Sequence, residues 1–122
     1  MANVQSFGIV TIDNDLNDIL AIGFEYKKYY GCVDVEDDFL TQILIKRKND
    51  FNQIKTFYSS LDRPNHGLAH CGDTLIPPKS LIRLREIIIT ENQIYKSNEL
   101  EKLIEKINEA IKENRYMVHF GL

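Results

Sequence analysis

Cysteine is scarce in this chain. Cys32 and Cys71 are the two present, with no CxxC pair. They offer no disulfide framework, and a reducing cytosol would keep both as thiols. Long apolar runs are also missing. None approaches the roughly 18 to 20 residues that cross a bilayer. Met1 to Ser6 lacks the basic start and apolar stretch of a secretory leader. These absences point to the cytoplasm and to no membrane partner. The G-x-S-x-G, G-x-G-x-x-G and Walker signatures are absent too, and nothing in the sequence asks for a cofactor. No internal repeat or low-complexity segment divides the chain.

What is present is the composition of a folded domain. Apolar residues make up 43% and charged residues 27%, values that argue against disorder. A length of 122 residues suits one core, so a single globular domain is expected over residues 1–122. The formal net charge is −3, and it is unevenly spread. Asp13, Asp15, Asp18, Glu25, Asp34, Glu36, Asp37 and Asp38 crowd one stretch, opposed there by Lys27 and Lys28 alone. Such an excess repels nucleic acid and attracts a basic partner. The plainer alternative is a solvated acidic face.

Periodicity predicts helices. Leu100, Leu103, Ile104, Ile107, Ala110 and Ile111 form one stripe, with charges opposite, over about residues 98 to 113. Asn98 with Glu101 reads as its capping box. A second helix is expected from about Glu36 to Ser59, with Leu40, Ile43, Leu44, Phe51, Ile54 and Tyr58 inward and Arg47 interrupting the stripe. Asp37 and Asp38 suit its first turn, and Pro64 with its polar neighbours ends it. A third begins at Pro77-Pro78 and carries Leu81, Leu84 and Ile88 on one face; the β-branched Ile87-Ile88-Ile89 triplet loosens its end. Asp15 to Tyr30 reads as a helix, against a hairpin of Phe7–Ile12 with Ile19–Tyr26. Tyr116 to Gly121 reads as an extended tail docked beside Thr74-Leu75-Ile76. The expected fold class is therefore mainly α: a small helical bundle with a Gly/Pro-rich connector, a short extended C-terminal tail and at most minor β.

The connector "HGLAHCGDTLIPP", residues 66 to 78, raises the chemical questions. His66, His70, Cys71 and Asp73 could surround zinc, with His119 or Cys32 as a distant ligand. Gly67, Gly72 and Pro64 oppose the helix that would align His66 with His70. His70, His119 and Lys79 could be nominated for ribonuclease-like acid–base cleavage, though nothing in their spacing selects them. Cys71 beside His70 is a sequence neighbour only, and adjacent side chains on an extended chain point apart. Lys46-Arg47-Lys48 could touch phosphate but reads better as a solvated face. No metal site and no enzymatic activity is expected. Tyr29 and Tyr30, at the edge of the acidic stretch with Glu25, have the composition of a protein interface.

Two stretches carry a resemblance. "GLAHCGDTLIPPKSL" leads into the third helix, and "ELEKLIEKINEAIKENRYMVHFGL" ends the chain. Together, over about the last 56 residues, they resemble small bacterial immunity proteins encoded beside polymorphic toxins, including those of contact-dependent growth inhibition. The resemblance implies a stoichiometric inhibitor that binds a toxin domain, often a nuclease with a basic cleft. The expected contact residues are Asp34, Glu36, Asp37, Asp38, Glu25, Tyr29 and Tyr30, with no direct nucleic-acid partner. The alternative is an interaction or regulatory module of another kind.

Overall fold

The computed structural model describes residues 3–11, 16–17, 31–69 and 72–121. Among them, short apolar segments pair into a sheet that the helical reading left out. Its strands are β1 (Val4–Ile9), β2 (Val33–Glu36), β3 (Lys55–Tyr58), β4 (Pro64–His66), β5 (Asp73–Ile76) and β6 (Met117–Phe120). They lie in the order β2-β1-β6-β5-β3-β4, and every pairing is antiparallel. The helices are α1 (Asp37–Lys46), α2 (Lys48–Asn52), α3 (Pro78–Tyr95) and α4 (Asn98–Glu113). The fold is α+β, which corrects the expected mainly α bundle.

The C-terminal residues do lie beside Thr74-Leu75-Ile76, in the register Thr74↔His119, Leu75↔Val118 and Ile76↔Met117. They are no surface tail, however. β6 sits between β5 and β1 in the sheet interior, and all four of its residues are buried. Alternation sorts its side chains. Met117 joins Phe7, Ile9, Val35 and Ile76 under the helices, with Leu40, Ile43, Leu84, Ile88, Leu103 and Ile107 above them. Val118 and Phe120 face the other side, with Val10 and Leu75.

The segment expected as one helix from Glu36 to Ser59 divides into α1, α2 and β3. Arg47 leaves helical geometry at φ −108°, ψ 28°, and its guanidinium holds Asp50 at 3.1 Å. α2 ends at Asn52, and Lys55–Tyr58 then pairs with both β4 and β5. Pro64 starts β4 instead of closing a helix. It is tolerated because β4 is an edge strand, where a missing N–H can face outward.

α3 starts at Pro78, as expected of a proline at the first helical position. It continues through Ile87-Ile88-Ile89 to Tyr95, because Ile87 and Ile88 are buried against the core. Packing outweighs the modest helix propensity of β-branched residues. α4 spans Asn98–Glu113, as the stripe predicted, but Ser97 caps it rather than Asn98. The Ser97 hydroxyl accepts from the Leu100 N–H at 3.3 Å, and the Asn92 side chain accepts from the Ser97 N–H at 2.7 Å. Among the described residues, no helix is long and apolar enough to cross a membrane. The expected helix over Asp15–Tyr30 falls almost wholly outside the described residues.

Candidate functional site

The acidic residues of the β2–α1 junction gather at one corner of the molecule. Asp34 is exposed on β2, at one edge of the sheet. Glu36 closes that strand and caps α1, its carboxylate accepting from the Asp38 and Phe39 N–H groups at 3.3 and 3.1 Å. Asp37 and Asp38 occupy the first turn, where the helix dipole favours negative charge. α4 brings a further carboxylate that the sequence reading missed. Glu99, also in a first helical turn, accepts from the Glu36 N–H at 3.3 Å. Its signal in the sequence was its place at the start of a helix, which says nothing of which neighbour it meets. Among the described residues, no lysine or arginine forms an ion pair with any of these five carboxylates.

Two of the five are tied inward. The Ser6 hydroxyl donates to Asp34. Asp37 receives the Gln5 side-chain N–H at 2.6 Å. Gln5 is buried on β1, and its other end meets His119 Nε2 at 2.6 Å. Phe7 pairs directly with His119 in the β1–β6 register, so Gln5 lies diagonally across, within reach of two long side chains. Because the Gln5 amide nitrogen donates to Asp37, its oxygen accepts from His119. The imidazole therefore carries its proton on Nε2, and Nδ1 makes no hydrogen bond among the described residues. Asp34 and Asp38 are the two exposed carboxylates of the five, whereas Glu36, Asp37 and Glu99 are half-buried. Glu25, Tyr29 and Tyr30 lie outside the described residues.

The other candidates disperse. His119 has no exposed surface, and burial lowers its pKa from 6.5 to about 3. It stays neutral near pH 7 and presents no nitrogen to a substrate. Lys79 is exposed on the first turn of α3. His66 is exposed on β4, three strand spacings from β6, or about 14 Å. His66 and His119 therefore cannot share a zinc ion, whose ligands lie within about 2.3 Å of the metal. Among the described residues, no group of three His, Cys, Asp or Glu is placed to hold a metal ion. His70 and Cys71 lie outside them, and Cys32 is half-buried just before β2.

Asp73 is buried on β5, and burial raises its pKa from 3.8 to about 6. Among the described residues, one of its oxygens has no hydrogen-bond partner, and neither has the buried hydroxyl of Ser59 opposite it. In the basic run, Lys46 pairs with the buried Glu91 at 3.1 Å and Arg47 with Asp50, so two of its three cations are already matched. No family model, curated protein or solved structure matches the chain.

Proposed function

We propose that the chain binds and neutralises another protein, as a stoichiometric inhibitor of the immunity-protein kind, and that the acidic β2–α1–α4 corner meets the partner. The observation that carries this reading is the absence of ion pairs at Asp34, Glu36, Asp37, Asp38 and Glu99 among the described residues. Elsewhere, acidic side chains such as Asp50, Glu86, Glu91 and Glu109 do have cationic partners within the chain. A corner left negative attracts a basic surface and speeds its arrival. The basic cleft of a nuclease toxin has the matching chemistry. Burial of His119 weighs against the catalytic trio with His70 and Lys79.

The experiment is co-expression with the product of the adjacent gene, with pull-down and growth rescue as readouts. Association rates are then measured across salt concentrations for the wild type and for Asp34→Asn combined with Asp38→Asn. Among the described residues, Asp38 makes no side-chain hydrogen bond, and asparagine can still accept from Ser6 at position 34. The expected result is rescue by the wild type and, for the double variant, association slowed about tenfold at low salt with a flatter salt dependence. Unchanged rates would remove the acidic corner from the interface. Failure to rescue growth or bind would remove the inhibitor reading itself.

A further inference from the structure

The break between α1 and α2 flanks a cleft of about 380 Å³, lined by Thr41, Leu44, Ile45, Lys48, Phe51 and Leu68. It lies toward the far end of α1 from the acidic corner, about 15 Å along a ten-residue helix. Three observations mark it. Ile45 is 72% exposed, the most exposed large apolar side chain among the described residues. Lys48 has no ion pair among the described residues, although Lys46 and Arg47 beside it each have one. The Thr41 hydroxyl is buried and makes no hydrogen bond among the described residues, whereas buried hydroxyls normally find a partner.

An apolar wall, one unopposed cation and one unanswered hydroxyl together fit an amphiphilic anion. The volume lies at the small end of ligand pockets, which run from about 300 to 1,000 Å³. A single ammonium matches a single negative charge, which favours a carboxylate over a doubly charged phosphate. We propose that the cleft binds a small aliphatic monocarboxylate. Its chain lies against Leu44, Ile45, Phe51 and Leu68, and its carboxylate accepts from Lys48 and the Thr41 hydroxyl. This site is separate from the acidic corner and does not depend on it.

The test is a titration of the full chain with hexanoate, octanoate and the uncharged octanamide, followed by two-dimensional amide NMR. Octanoate is expected to shift resonances of residues 41–52 and 67–68. It should bind about tenfold or more tighter than hexanoate, since each buried methylene is worth about a factor of four. Octanamide, and octanoate on Lys48→Gln, should each bind about fivefold more weakly than octanoate on the wild type. Lys48 is exposed, so Lys48→Gln keeps the fold, checked by circular dichroism; Thr41→Val gives a second, independent loss. Absence of saturable octanoate binding would overturn the proposal. So would binding that ignores Lys48→Gln, or attachment to anionic lipid vesicles without binding of free octanoate.

Discussion

Gln5 holds two groups that would otherwise lack partners. Its amide nitrogen serves Asp37 and its oxygen serves the Nε2–H of His119. Replacement by leucine, one atom shorter, removes both hydrogen bonds. His119 would then have neither ring nitrogen paired, because Nδ1 already lacks a partner. A buried polar group left unsatisfied costs about 1–3 kcal/mol, so Gln5→Leu should lose about 2–3 kcal/mol in urea denaturation. A loss under about 0.5 kcal/mol, the range of ordinary surface substitutions, would mean that the chain of hydrogen bonds contributes little. The same geometry gives Asp37 a second tie, within the fold, that the sequence did not reveal. Its charge was legible, but its inward bond depends on a strand residue 32 positions away.

At the scale of elements, α3 and α4 are joined by two residues, Lys96 and Ser97. Lys96 ends α3 in the left-handed region, at φ 50° and ψ 49°. A side chain there crowds its own backbone, and glycine relieves the crowding. Lys96→Gly should therefore stabilise the protein by about 0.5–1 kcal/mol, even after the greater freedom of the unfolded glycine is counted. In thermal unfolding that amounts to a rise of about 2–5 °C. A fall in melting temperature would mean that the lysine side chain contributes a contact larger than the strain.

The helices were the legible part of the sequence, and α4 shows why. It is long, and one face meets solvent, so its stripe of Leu100, Leu103, Ile107 and Ala110 stands out against charge. The strands escaped detection for the opposite reason. β5 and β6 are four residues each and buried on both faces, so they show no polar–apolar alternation. β3 was absorbed into a helical stripe because Phe51, Ile54 and Tyr58 also fall at three- and four-residue steps. The acidic run was visible at the candidate site. Glu99 was not, because only tertiary folding brings α4 to β2.

At the scale of the molecule, two buried titrating groups among the described residues set opposing pH dependences. Asp73, raised from 3.8 to about 6, binds its proton more tightly in the native state. Its stabilisation is complete below pH 3.8 and is lost as pH rises through about 6. His119, lowered from 6.5 to about 3, resists protonation in the native state. Its contribution is complete above pH 6.5 and fades as pH falls toward about 3. Where the two windows overlap, from pH 3.8 to about 6, their slopes cancel; each is about 1.4 kcal/mol per pH unit. Asp73→Asn removes one side of the balance. Its denaturation midpoint should decline more steeply than the wild type's as pH drops from about 6 to 4. Parallel pH profiles for the two proteins would contradict the balance.

The central place of β6 also governs the order in which the protein can be assembled. Among the described residues, β1 with β2 forms one half-sheet and β3, β4 and β5 form another, and β6 alone joins them. β3 and β4 close across a short loop, whereas Gln5 and His119 meet across 114 residues of chain. Closing a loop of that length costs entropy before any contact compensates for it. On the ribosome, β1 must wait for β6. Each half-sheet keeps an unpaired inner edge until then, so completion of the sheet is a late, concerted event that the growing chain cannot reach by halves.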